Sequence, residues 1–425
     1  MRLFGALLVF GVLAACKGAE RPRVPAAGSS TIDVSRSGFS LRAVAGDGAR
    51  TFVGLSTATQ SVVEARRGTT VEWRADVPGV VAALALVGPN IIVGTQVSEG
   101  MRGDPGAALQ ATGASGKTTW RVAIDSTEWS LITSMAALDD DILVGGSFGG
   151  TLRIADKVVS SAGGSDGFVA RISAKGELVW LVRLGGGGAD AVQGVATSGS
   201  RIAIAGTFTA GADLLGEPLA AYDERLPYAD AFAAELDDKG TRRWSKTFGG
   251  KGDESVAGVA IDARGNVVVA GNGREVIYVG SQRLVTGGDS DGVVVWYGAT
   301  GEQGPAILVG GLDYDGLRAI AAVDDRVVVG GFFAGTLTLG DRTLVADGKS
   351  GGGDDAFFAA LDPRGLVERS WHVGGEGRED IVALSHVSGG FIAAVAHTGS
   401  AKLDDATLPA PADPMSGAAI AVRGL

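Results

Sequence analysis

A segment of 21 residues recurs along this chain, and that recurrence narrows the possible folds more than any other feature. Asp166–Gly186 reads DGFVARISAKGELVWLVRLGG, and Asp230–Gly250 reads DAFAAELDDKGTRRWSKTFGG. Asp291–Gly311 and Asp355–Gly375 align with both without a gap. The four starts are separated by 64, 61 and 64 residues. A further 61 reaches Ser416, which is followed by another opening strand, Gly417-Ala418-Ala419-Ile420-Ala421-Val422-Arg423. Upstream, Gly116 to Trp120 matches Gly176 to Trp180 at a spacing of 60. A fixed period of this kind marks stacked supersecondary units, none of which can bury its apolar face alone.

After the Gly-Gly pair each repeat continues with an apolar strand, a short turn and a run such as Arg201-Ile202-Ala203-Ile204-Ala205-Gly206. Such runs show little polar alternation, as expected of strands covered on both faces. Paired apolar strands of this type lie near 41–55, 79–95, 131–147, 191–208, 255–271, 317–332 and 381–397. A further hairpin follows in places, at Gly149 to Ile154 and at Gly335 to Gly340, and lengthens the repeat beyond the roughly 40–50 residues of common propeller repeats. The last module stops after its third strand, and Thr31 to Ser40 is available to supply the missing one from the other end of the chain. The expected fold is therefore an all-β, seven-bladed β-propeller of antiparallel blades, closed by N- and C-terminal strands. Six or eight blades are also admitted, because the first 100 residues align poorly. An open β-solenoid is the rival architecture, disfavoured because a closed ring needs no separate caps.

Composition agrees with strands separated by tight turns. Gly accounts for 69 of 425 residues, against a usual share of about 7%, while 45% of residues are hydrophobic. Lys plus Arg number 37 against 48 Asp plus Glu, a formal charge of −11, which argues against a nucleic-acid partner. A single Cys excludes an intramolecular disulfide and a thiolate zinc cluster.

That Cys sits in an informative place. Arg2 precedes an apolar stretch, Leu3 to Leu13, too short to span a bilayer but suited to a secretory signal. The stretch ends in Leu13-Ala14-Ala15-Cys16, which resembles the lipobox of bacterial lipoproteins. The resemblance implies cleavage after Ala15 and lipidation of Cys16. Residues 1–15 are read as a lipoprotein signal peptide, 16–31 as a flexible tether without hydrophobic period, and 32–425 as the propeller. Lys17 follows the Cys, where enteric lipoproteins retained at the inner membrane carry Asp. By that resemblance the chain is directed to the outer membrane of a bacterial cell envelope, facing the periplasm or the surface.

The repeat itself resembles the SBBP-type bacterial β-propeller repeat over roughly 105–425. The residues that carry the resemblance are the Asp-Gly-Phe strand, the Gly-then-Trp strand ending in Gly-Gly, and the Asp-x-x-Gly-x-Val run at Asp262 to Val267. It implies the propeller fold and an exported, often lipid-anchored, location. Ser115-Gly116-Lys117-Thr118-Thr119-Trp120 is also similar to quinoprotein-like propeller repeats, which keeps two rivals open: a quinone-dependent enzyme and an assembly-factor-like lipoprotein.

Candidate chemistry is sparse. Asp166, Asp230, Asp291 and Asp355 open the repeats, and Asp190, Glu254, Asp315 and Glu379 follow each Gly-Gly pair. Their repetition is that of a turn device accepting backbone N–H groups, since a catalytic site needs one unlike cluster. Asp289 and Asp313 open calcium-like loops, but position 12 from Asp289 is Thr300 and position 6 from Asp313 is Arg318, so neither qualifies. His372, His386 and His397 show no metal spacing, and Ser385-His386 lacks a nucleophile motif. The Gly clusters at 185–188 and 351–353 lack the Lys-Ser/Thr of a phosphate loop. Trp73, Trp120, Trp180 and Trp244 recur once per module and read as packing between blades. The chief departure from the repeat is Glu217 to Tyr228, where Tyr222, Arg225 and Tyr228 offer a contact loop. The expected function is a non-catalytic binding or scaffold module for protein, peptide or glycan, with no catalytic residue, cofactor or metal. Its partners are the membrane, through Cys16, and envelope proteins or glycans. The alternative is an envelope enzyme, oxidoreductase or hydrolase, on a propeller scaffold.

Overall fold

A computed structural model describes residues 28–33, 39–57, 60–96, 106–347, 354–375, 377–404, 406–408 and 417–423. Among the described residues, seven sheets of four or more strands, all antiparallel, follow one another along the chain. The fourth shows the plan: Ala191–Ser198, Arg201–Phe208, Asp230–Leu236 and Arg242–Gly250 pair in sequence order. The seven first strands are Ser40–Gly46, Val80–Val87, Trp129–Leu138, Ala191–Ser198, Ser255–Ile261, Gly316–Val323 and Glu379–Val387. Each contacts the next, and the last contacts the first. The sheets thus stand side by side around an axis with their first strands innermost, the arrangement of a β-propeller.

Burial on both faces is what holds this arrangement. Second and third strands such as Val267–Gly273 and Asp291–Tyr297 are covered along nearly their whole length. Their Val, Ile and Ala side chains fill one gap on each side of the sheet. One such gap joins the ends of the chain, where Leu41, Val44, Val53 and Leu55 of the first sheet meet Val387, Ile392 and Ala394 of the seventh. The seventh sheet draws its strands from both termini. Gly28–Asp33 pairs antiparallel with Gly417–Arg423, which pairs with Gly390–His397. The closing strand therefore includes residues 28–31, assigned above to the tether, and residues 31–33 of the expected 31–40 segment, of which 34–38 lie outside the described residues.

The extra hairpins do not extend their own sheets. Thr151–Ile154 and Lys157–Ser160 lie between strands of the third sheet but pair onto Thr118–Ser126, the outer strand of the second. Asp213–Leu214 with Glu217–Pro218, Val276–Val279 with Gln282–Val285, and Ala401–Leu403 with Ala406–Leu408 make the same backward crossing. Thr336–Leu339 and Arg342–Val345 form a separate two-stranded sheet, yet Leu337, Leu339 and Leu344 pack into the cluster that holds Val309 and Trp296 of the preceding sheet. Each hairpin straps two neighbours and covers an otherwise free edge with short strands.

The recurrent Trp residues lie between sheets. Trp120 Nε1 donates to the Ala174 carbonyl of the next sheet at 2.9 Å, and Trp180 Nε1 to Asp238 at 3.0 Å. Each indole covers a turn glycine that has a left-handed backbone: Gly116 under Trp73, Gly176 under Trp120, Gly240 under Trp180 and Gly301 under Trp244. At Gly176 φ is +83°, and a Cβ would stand 2.9 Å from the Trp120 ring. Both backbone and space therefore require glycine. Replacing Gly176 by Ala should destabilise the ring by about 1–3 kcal/mol, combining left-handed strain with overpacking. A lower urea midpoint is expected; an unchanged one would mean that the Trp120 contact is dispensable.

Candidate binding site

Each innermost strand carries a bulge at the same point. The register with the second strand skips Arg42, Ala82, Thr133, Gln193, Ala257, Arg318 and Val382. A bulge turns the extra residue out of the ladder and re-aims its side chain. All seven line one cavity of about 260 Å³ at the end of the central channel where the inner strands begin. Four are polar and come from four different sheets. Gln193 Nε2 donates to Thr207 Oγ1 at 3.0 Å, while Gln193 Oε1 is buried without a partner. Thr133 Oγ1 donates to the Val192 carbonyl at 2.6 Å. Arg318 lies 4.5 Å above the Phe332 ring and 3.4 Å from the Asp380 carboxylate. Arg42 is exposed and makes no ion pair among the described residues.

Two residues further along, Val44, Leu84, Met135, Val195, Val259, Ile320 and Leu384 form an apolar waist shared with a second cavity of about 680 Å³. That wider chamber reaches the opposite mouth, where Asp262, Asp324, Ser385 and His386 lie. The channel thus has a cationic end, an apolar middle and an end with carboxylates. Asp262 is already engaged, accepting from the Arg264 and Asn266 amides. Sequence reasoning missed this ring. The signal was present in Arg42 and Arg318, charged residues inside otherwise small and apolar strands.

The repeated acids accept turn amides, except Glu379, whose two carboxylate oxygens are buried without a partner; they also come together in pairs that their spacing did not reveal. Asp190 accepts from the Gly186 and Thr209 amides, and Asp315 from those of Gly311 and Ala334. Glu254 accepts from Gly250 N–H. Each also faces the acid that opens the third strand of the preceding sheet: Asp166 with Asp190, Asp230 with Glu254, Asp291 with Asp315, and Asp355 with Glu379. One backbone bond recurs beside every pair. The second acid's N–H donates to the carbonyl just before the first, from Asp190 to Ser165, Glu254 to Ala229, Asp315 to Ser290 and Glu379 to Asp354. Burial and the neighbouring carboxylate push Glu254 up to about 9 and Glu379 to about 8. The same two causes raise Asp315 to about 6. Glu254 Oε1 is buried without a hydrogen-bond partner beside Asp230, so the pair is better accommodated with Glu254 protonated. Asp166 and Asp355 have cationic or ionisable neighbours, the Arg183 guanidinium and the His372 ring respectively.

The three His residues stay apart. His372 Nε2 lies 2.6 Å from Asp355, His397 Nδ1 lies 3.0 Å from the Gly399 carbonyl, and His386 is exposed at the channel mouth. Among the described residues no three His, Cys, Asp or Glu side chains are grouped to hold a metal ion. The loop Glu217 to Tyr228 lies on the same face as the cationic end of the channel, as the antiparallel order of each sheet requires. Tyr222 is stacked on Tyr278 of the next hairpin at 5.1 Å, and its N–H donates to Asp230. Arg225 binds Asp223 through both guanidinium and backbone groups. Tyr228 is exposed. Cys16, Lys17, the signal segment 1–15 and the Gly351–Gly353 cluster lie outside the described residues, and no described helix is long and apolar enough to cross a membrane.

No protein-family model matches the chain. No curated protein matches it. Among solved structures it is similar to Kuenenia stuttgartiensis hydrazine synthase, with a TM-score of 0.53 and 10% identity over 86% of this chain and 96% of that one. It is also similar to the β-propeller domain of the Trilobed protease from Pyrococcus furiosus, with a TM-score of 0.47, 10% identity, and 89% and 98% coverage. The acylaminoacyl peptidase of Pyrococcus horikoshii gives 0.47 and 12% over 87% of this chain, which spans 52% of that protein's length. At these identities the likeness is one of fold.

The acid pairs imply a defined pH response. A carboxyl group whose folded pKa is raised keeps a proton that the unfolded chain gives up near pH 4.5. Its stabilising contribution is complete below that pH and declines as pH rises toward 9. Thermal midpoints of the native chain should therefore fall between pH 6 and 9. Replacing both Glu254 and Glu379 by Gln should flatten that fall and raise the midpoint at pH 9. A variant that keeps the native slope would show that these pairs do not carry it.

Proposed function

We propose that the chain is a seven-bladed, lipid-anchored propeller of the bacterial cell envelope, of the SBBP type, that binds protein, peptide or glycan without chemical turnover. The observation that carries the binding reading is convergence. Four polar bulged side chains from four sheets meet in one chamber, and the unlike loop at 217–228 lies on the same face. A rigid scaffold presenting such a face is suited to recognition, because holding the groups in place beforehand reduces the entropy lost on binding. Cys16 supplies the anchor, with attachment to the outer membrane favoured by Lys17.

Two experiments bear on this reading. Cys16→Ser should move the protein from the membrane fraction to the soluble fraction of the host, and unchanged fractionation would refute lipid anchorage. Affinity capture from envelope extracts should be run with the native chain and with a variant in which 217–228 is replaced by a short turn, beside a cofactor-supplemented activity screen. Partners held by the native chain and lost with the loop support binding. Reproducible turnover abolished by a point change at either channel mouth would overturn the non-catalytic reading.

A further inference from the structure

We infer that the chamber ringed by the bulged residues is a binding site for a carboxylate carried on an apolar stem. This deepens the binding reading above and rests on it. The polar side of the argument is Arg42 and Arg318, which line the same cavity from the first and sixth sheets, with the seventh between them. In a chain of net charge −11, placing two guanidinium groups at one mouth of the channel creates a local field opposite to that of the whole protein. Asp380 lies beside Arg318 and offsets part of this charge, whereas Arg42 has no such partner among the described residues. About one net positive charge therefore faces the chamber. That matches a monoanionic carboxylate better than a doubly charged phosphate, and a guanidinium can meet a carboxylate through two parallel hydrogen bonds. Gln193 lines the same cavity, its amide held in place by the bond from Nε2 to Thr207 Oγ1.

The apolar side of the argument is the waist. Immediately beyond the Arg-bearing ring the wall becomes Val, Leu, Met and Ile from every sheet. A ligand whose charged group sits on Arg42 would place its stem against these side chains, removing apolar surface from water on both partners. Two sources provide such a group: the C-terminus of a peptide ending in an apolar residue, and a short fatty acid.

The test is calorimetric titration of the full chain, held in detergent, with four probes. These are acetyl-Gly-Ala-Leu as the free acid, the same peptide as its C-terminal amide, hexanoate, and inorganic phosphate. The free acid or hexanoate should bind at least ten-fold more tightly than the amide, and which of the two binds identifies the source. Arg42→Ala should weaken that binding at least ten-fold while leaving the melting midpoint unchanged, because Arg42 is exposed and unpaired. Arg318→Lys keeps the charge and stem of a side chain that also packs on Phe332, and should weaken binding by less. Equal binding of acid and amide, preference for phosphate, absence of binding by both carboxylates, or an unaffected Arg42→Ala variant would each overturn the assignment. Partners captured through the 217–228 loop would be unaffected by any of these results, so failure here is separable from failure of the broader reading.

Discussion

A sheet rich in Val, Ile and Ala on both faces cannot rest with either face in water, and in this chain only the two neighbouring sheets are placed to cover it. The features below follow from satisfying that demand repeatedly around an axis. The interfaces must be repeated, so equivalent residues recur at equivalent points: an indole over a turn glycine, a carboxyl group facing a carboxyl group, and one backbone hydrogen bond beside each acid pair. The first and seventh sheets also meet, and the seventh combines the early strand Gly28–Asp33 with the late strand Gly417–Arg423. Ring closure thus follows from the same apolar burial that packs any two neighbours, and the Gly28–Asp33 strand completes the edge.

The acid pairs show where this repetition carries a penalty. Two carboxyl groups brought together between packed sheets cannot both ionise without a large electrostatic cost, so a proton is retained. All but Glu379 accept turn amides that would otherwise be buried without partners, and this is the return for tolerating them. The arrangement resembles a set of staples whose strength depends on proton occupancy. The pairs also differ from one another. Arg183 beside Asp166 and His372 beside Asp355 give two of the four junctions a nearby basic group that the Asp230 and Glu254 junction does not share.

Much of the fold was legible in the sequence, because strand pairs announce themselves through local periodicity. The runs near 191–208 and 255–271, for example, are the first and second strands of consecutive sheets. The Trp residues were legible for a similar reason, since one indole per module at a constant offset from a glycine has few roles besides packing between modules. Three things were not legible. The 151–160 hairpin carries strand pattern but no mark of which sheet receives it, and it joins the preceding one. The closing strand reads Gly-Ser-Ser-Thr-Ile-Asp, with a single large apolar residue, so its beginning carries no strand pattern and reads as tether. The bulges depend on pairing register, which a short small-residue strand such as Ser-Val-Ala-Gly-Val-Ala-Ile leaves undetermined. As the candidate site is made of bulged residues, only the charged Arg42 and Arg318 marked it in the sequence, while the loop at 217–228 stood out because it broke the repeat.

The backward-crossing hairpins change what counts as a unit of this protein. The stretch of chain that builds one sheet also builds the outer edge of the sheet before it, so covalent neighbours and structural neighbours are offset by part of a repeat. A segment copied or excised as one period would carry the cover for its predecessor and leave its own edge to be covered by whatever follows. Duplication in register preserves every strap, because each copy hands its hairpin back to an identical receiver. Wherever a hairpin crosses back, a cut at the sheet boundary parts a strap from its sheet. The strapped part of the ring therefore cannot be divided at sheet boundaries into pieces that each keep their own cover.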